Sequence, residues 1–139
     1  MINAMNDPPT RQLVPSSSPY ASIVGFSRAV RVGNIVSVGG TAPIDDDGST
    51  VGIDDPAQQT RQCMKTIEAA LNAAGATLRD VVRTRTMLTD INHWQDVAKV
   101  RGEYFSDIRP VDTVVQVSRF INAEWLIEIE VDAVISAHE

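Results

Sequence analysis

The chain has 139 residues, 43% of them hydrophobic and 22% charged, the balance of a globular domain with one core rather than of a disordered segment. Its formal charge of -6 opposes long-range attraction to phosphate backbones and anionic lipid, and its arginines are scattered, so neither nucleic acid nor membrane is an expected partner. Cys63 has no second cysteine to pair with, no apolar run approaches the roughly 20 residues of a membrane span, and the N-terminus lacks the charged start and apolar centre of a signal peptide; a cytoplasmic protein is expected.

Residues 1–18, with Pro8, Pro9, Pro15 and Ser16-Ser17-Ser18, cannot build a periodic apolar face and read as a flexible lead-in; 19–139 read as a single domain beginning near Tyr20. Residues 23–32 and 35–38 are rich in β-branched and apolar side chains. Gly33-Asn34 between them supplies the positive φ angles of a tight turn, which predicts a hairpin. Gly39-Gly40 then ends the second strand and leaves bare backbone for close approach of another group or for a bend. Asp45-Asp46-Asp47-Gly48 lacks the alternating ligands and closing glutamate of a calcium loop and reads as a solvated turn.

Asp55-Pro56 is a helix start, and Cys63, Met64, Ile67, Ala70, Leu71 and Ala74 recur at three- and four-residue spacing until Gly75 closes the run. Residues 81–89 read as a strand. Asn92 and Gln95 form a capping box for a second helix with Trp94, Val97, Val100, Tyr104 and Phe105 on one face. Strands are expected at 111–118 and 125–135. In the last, Trp125, Ile127, Ile129, Val131, Ala133 and Ile135 share one face, and Leu126, Glu128, Glu130, Asp132 and Val134 the other. This order predicts an α+β domain, a sheet with both helices on one face.

Several of these segments, in this order, resemble the Rid (YjgF/L-PSP) family from about residue 20 to 134. Phe26-Ser27-Arg28-Ala29-Val30, Gly33-Asn34 and Gly39-Gly40-Thr41-Ala42-Pro43 are similar to the family's opening hairpin, "Y-S-Q-A-V…G-N…S-G-Q-x-P". Gln59-Thr60-Arg61-Gln62 and Ala73-Ala74-Gly75-Ala76 resemble its first helix, Asp80-Val81-Val82-Arg83-Thr84 the strand that follows, and Leu126-Ile127-Glu128-Ile129-Glu130 its "V-E-I-E" signature. The resemblance implies a chorismate-mutase-like fold with a six-stranded mixed sheet and two helices on one face. It further implies a homotrimer with a central barrel and small-metabolite clefts between subunits. The activity implied is hydrolysis of reactive imines or enamines with no metal or cofactor. A small-metabolite-binding role without turnover stands as the alternative, and an endoribonuclease as a weaker one.

Carried over by position, Glu128 is the family glutamate that orients or activates water, the catalytic candidate; its other reading is an exposed strand residue beside Glu130 and Asp132. The family's carboxylate-binding arginine lies in a "P-A-R-S/T" segment that here reads Pro110-Val111-Asp112-Thr113. Asp112 inverts the charge at that point and would repel a carboxylate. Arg109 reads either as a solvated loop residue or as an anion contact. The family's pocket tyrosine corresponds to Phe26, which keeps an apolar wall and loses the hydroxyl, and its serine and glutamine become Gly39 and Thr41 around the retained Gly40. Ala98 and Val114 stand where relatives have asparagine and cysteine. The binding candidates are therefore Phe26, Gly40, Thr41, Arg109, Asp112 and Thr113. Cys63 falls on the apolar stripe of a helix and reads as a buried hydrophobe, Trp94 and Trp125 read as core or interface anchors, and His93 and His138 have no partner at metal-ligand spacing.

Overall fold

The computed structural model describes residues 10–136. The chain opens with strand β1 (Arg11–Val14) and one helical turn α1 (Ala21–Val24), then forms the hairpin β2 (Ala29–Val32) and β3 (Ile35–Thr41). Helix α2 (Pro56–Ala73), strand β4 (Val81–Leu88), helix α3 (Trp94–Phe105), strand β5 (Val111–Gln116) and strand β6 (Ile127–Val134) follow. The strands make one six-stranded sheet in the order β1-β2-β3-β6-β4-β5, antiparallel except for β4 with β5. Helix α2 packs on β3 and β6 and α3 packs on α2, so the expected mixed sheet with its two long helices on one side is what the chain forms. No helix among the described residues is long and apolar enough to cross a membrane.

Local chemistry sets the helix ends. Asp55 caps α2 by accepting from the Gln58 N–H at 3.0 Å, with Pro56 in the first helical position, and Gly75 leaves the helix at φ +86°. The apolar stripe read from the sequence is the buried one: Cys63, Met64, Ile67 and Leu71 have no exposed surface, and they meet Val36, Leu88, Ile127 and Ala133 of the sheet. Burial pushes the Cys63 thiol up, as befits a side chain that fills space rather than reacts.

Four expectations need correction. The lead-in is structured from residue 11: β1 pairs with β2, and Val14 is buried, because 11–14 contain no proline and can place a valine on the core face. Residues 1–9 of that expectation, and His138, lie outside the described residues. The strand expected over 23–32 is confined to Ala29–Val32. Ser18 starts a turn by accepting from the Tyr20 N–H through its hydroxyl and the Ala21 N–H through its carbonyl, and Gly25 closes it at φ +86°. The second long helix is preceded by a 3-10 turn at Ile91–His93, which Asp90 caps by accepting from the Asn92 N–H at 2.9 Å; the helix itself starts after His93 with no side-chain cap, so the expected Asn92 box does not form. Trp94 is not an anchor in the core; it is 48% exposed.

The apolar face of β6 is covered by the chain's own helices, so it leaves no apolar sheet face that a partner must bury. The opposite face of the sheet is polar, with Arg85 2.9 Å from Glu130 and 3.6 Å from Asp132, and Ser37 donating to Asp132 at 3.0 Å.

Truncating Ile67 to alanine removes a side chain with no exposed surface. It is expected to lower the unfolding free energy by about 2–5 kcal/mol in urea titrations. Ile53→Ala, at a 53% exposed position, is expected to change it by less than about 0.5 kcal/mol. Equal effects of the two would refute this packing.

Candidate functional site

The site is built where β3 departs from regular pairing. Val38 pairs with Val131 and Thr41 with Ile129, so Gly39 and Gly40 together oppose the single residue Glu130, a β-bulge. The bulge turns bare glycine backbone toward β6. A Cβ on Gly40 would lie 2.9 Å from Glu128 Oε1, so the carboxylate occupies the space that glycine leaves. The approach to β6 is fixed by Gln59 of α2, fully buried, whose amide donates to the carbonyls of Gly52 (3.1 Å) and Glu124 (2.9 Å) and accepts from the Leu126 N–H (2.8 Å). A buried amide with its polar atoms satisfied makes a rigid strut, and here it positions Trp125 and, two residues into β6, Glu128.

Above the bulge lies a cavity of about 340 Å³. Its walls are largely apolar, formed by Tyr20, Val24, Phe26, Ile44, Ile121 and Trp125, and its polar side chains are Ser18, Ser27, Arg28 and Glu128. Trp125 is 7% exposed and its indole N–H donates to Thr50 Oγ1 at 3.2 Å, which sets the ring as a wall. Burial raises the Glu128 carboxyl above the ordinary carboxylate value. The positive charge of Arg28 pulls it back, and Glu130 pushes it further up. Neither Glu128 oxygen accepts a hydrogen bond from the described residues, and neither is sealed from solvent, so the group is free to take a proton from a water or ligand in the cavity.

Arg28 is the member of the site that sequence reasoning did not single out. It is only 7% exposed; Nη1 donates to Gly40 O at 2.9 Å and Thr41 Oγ1 at 3.3 Å, and Nη2 to Ser16 Oγ at 2.9 Å. Desolvation lowers its pKa, and the negative charge of Glu128 opposes that. The signal was in the hairpin motif, where arginine stands at the place of the quoted glutamine. Tyr20, Ile44, Ile121 and Trp125 were also missed as walls, because they converge from four separate segments and share no local spacing.

Of the expected binding residues, Phe26 and Gly40 line the cavity together with Glu128. Thr41 does not line it. Fully buried, it stands behind the wall, accepting from Arg28 and donating to Gly39 O at 2.7 Å. Arg109, Asp112 and Thr113 are not brought to this cavity within one chain, because β5 is separated from β6 by β4. Arg109 is exposed at the end of α3 with φ +60°, its N–H donating to Phe105 O at 2.8 Å. Asp112 accepts from Thr84 Oγ1 at 2.6 Å and lies 3.6 Å from Arg101 Nε. Its charge is thus met inside the chain, which weakens the repulsion expected of it. Thr84 is buried on the helix side of the sheet, so Asp112 turns to the opposite face from Glu128.

Comparison with known proteins agrees with this fold. Residues 16–135 match the family model described as Endoribonuclease L-PSP. The crystal structure of a Mycobacterium tuberculosis member of the YjgF/YER057c/UK114 family is 46% identical and superposes with a TM-score of 0.82, covering 91% of this chain and all of that one. A RutC family protein of Pyrococcus abyssi is 37% identical over 105 residues, 76% of this chain and 82% of its own length. The 3-aminoacrylate deaminase RutC of Acinetobacter baylyi is 33% identical over 121 residues, 87% of this chain and 94% of its own.

The raised Glu128 carboxyl has a consequence for stability. A carboxyl whose value is higher in the fold than in the unfolded chain contributes stability fully below the unfolded value of about 4.3 and loses it as pH rises through the folded value. Glu128→Gln, which cannot ionise, is expected to melt above the native protein at pH 8, with that advantage shrinking toward pH 4. A difference in melting temperature independent of pH would contradict a desolvated carboxylate.

Proposed function

The chain belongs to the Endoribonuclease L-PSP family, the group of the YjgF and RutC proteins, and from that premise we propose that it is a cytoplasmic, cofactor-free hydrolase converting a reactive imine or enamine into a carbonyl compound and ammonia at the Glu128 cavity. The observation that carries this reading is the Glu128 carboxylate, half-buried beside bare Gly40 backbone with no hydrogen-bond donor committed to it among the described residues. Water held between Glu128 and the C=N carbon gives its proton to the carboxylate as its oxygen adds to carbon. The carboxyl returns that proton to nitrogen to give a carbinolamine; the carboxylate then takes the hydroxyl proton and passes it to the amino group as the C–N bond breaks, so that ammonia leaves and the carbonyl forms. A carboxyl raised toward neutrality by burial is better matched to both transfers than an ordinary one. The Acinetobacter baylyi relative is named for deamination of 3-aminoacrylate, an enamine, whose imine tautomer would follow the same course.

The working form proposed is a homotrimer. Strand β5 is an edge of the sheet with Val111 and Val115 exposed, and the face bearing Arg85, Glu130 and Asp132 is uncovered by the chain's own helices. The β5 edge of a second protomer, carrying Arg109, Asp112 and Thr113, would complete the cavity from outside. Ribonuclease activity, the sense of the matched family description, finds little support here: the cavity holds no histidine, its one cation is bonded to neutral groups, and the chain is acidic.

Ammonia release from 2-imino acids generated in situ by an amino acid oxidase is expected to accelerate with the native protein, and Glu128→Ala to reduce that acceleration by about 100-fold or more. Identical rates with and without the protein would overturn the hydrolase. In multi-angle light scattering the native protein is expected at three chain masses; a single-chain mass at micromolar concentration would overturn the trimer.

A further inference from the structure

The cavity contains a cation that the hydrolytic steps above do not use. Arg28 lies just before β2, its backbone tied to both neighbouring strands: its N–H donates to Val14 O at 2.8 Å, and its carbonyl accepts from the Gly39 N–H at 3.0 Å. The side chain is therefore held, not draped. Of the five N–H groups of a guanidinium, Gly40 O, Thr41 Oγ1 and Ser16 Oγ take three. The Nε–H and the second Nη2–H meet no acceptor among the described residues, and Nε is not sealed from solvent. No carboxylate oxygen among the described residues lies within 4.0 Å of the group. A guanidinium withdrawn from water is normally compensated by an anion, and this one meets only neutral acceptors and, at longer range, Glu128.

We propose that Arg28 holds the carboxylate of the ligand, so that the cavity takes an organic acid with its anionic end on Arg28, its reacting carbon toward Glu128 and an apolar or aromatic substituent against Phe26 and Trp125. An uncommitted Nε–H on a nitrogen open to solvent, with a second unpaired N–H beside it on the same guanidinium, suits an oxyanion, and the walls suit an apolar substituent rather than a second charge. The anchor thus comes from the β2 side of the sheet, while Asp112 on β5 is engaged with Thr84 and Arg101. This specificity rests on the cavity being the ligand site, as in the function proposed above, but not on turnover there.

The test uses two inert probes of one shape, 3-phenylpropanoate and 3-phenylpropanamide, in calorimetric titrations of the native protein and of Arg28→Gln. The native protein is expected to bind the acid at least ten-fold more tightly than the amide, and Arg28→Gln to erase that preference while keeping its affinity for the amide. Equal binding of both probes by the native protein, binding of neither, or a preference that survives Arg28→Gln overturns the proposal. Should Arg28→Gln fail to fold, the Arg28 Nε–H resonance of the native protein, identified by its loss in Arg28→Lys, is followed instead. It is expected to shift on saturation with the acid and not with the amide, and a resonance that does not move is decisive against it. The acid preference is expected to persist in Glu128→Ala, so failure of the hydrolase and failure of the anchor are separately visible.

Discussion

A guanidinium buried against the irregular part of a β-strand is the interaction around which this site is organised. Arg28 donates to Gly40 O and Thr41 Oγ1 on one side and to Ser16 Oγ on the other, joining the bulge of β3 to the segment that follows β1. Without those acceptors the charge could not remain there, since burying a cation with unmet donors is far more costly than burying an apolar group of the same size. With them, Arg28 pins the bulge in the conformation that leaves room for the Glu128 carboxylate beside Gly40. Cation and carboxylate then share one cavity without a direct salt bridge, each shifting the other by its charge while burial penalises both.

The rest of the fold holds that arrangement rigid. The buried stripe of α2 packs the sheet from one side, and Gln59, on the same helix, reaches the chain entering β6 through two hydrogen bonds, to Glu124 and Leu126. Alternation along β6 does the rest. Ile127, Ile129 and Val131 enter the core, so Glu128 and Glu130 must point to the other face, where the bulge opens the cavity at Glu128 and the Arg85 ion pair occupies Glu130. Ion pairs at such half-exposed positions contribute little to stability, of the order of 0–1 kcal/mol. The polar face therefore shapes contacts and charge more than it holds the chain together.

Much of this was legible in the sequence where the signal is local. Asp55-Pro56 with its three- and four-residue apolar spacing fixed α2, Gly33-Asn34 the hairpin, and strict alternation the faces of β6. The resemblance of short motifs pointed to Glu128, Phe26 and Gly40, and the cavity contains all three. What escaped was not local. The short strand β1 is stable only because β2 pairs with it, and α1 only because Ser18 and Gly25 close a turn, so neither has a periodic pattern of its own. Asp112 looked like a charge facing the site because strand position alone cannot show that Arg101, eleven residues earlier, comes back to meet it. Nothing local within the hairpin motif marks Arg28 as buried. Its burial depends on acceptors twelve and thirteen residues later in the chain, which no window of the sequence displays.

The most direct measurement is a pH titration of the Glu128 side-chain carbon by nuclear magnetic resonance, in the native protein and in Arg28→Gln. A half-buried carboxylate facing Arg28 across one cavity predicts a midpoint above the ordinary glutamate value of about 4.3, moved higher still when the guanidinium is removed. A Glu128 midpoint at or below that ordinary value, unchanged by the substitution, would contradict it.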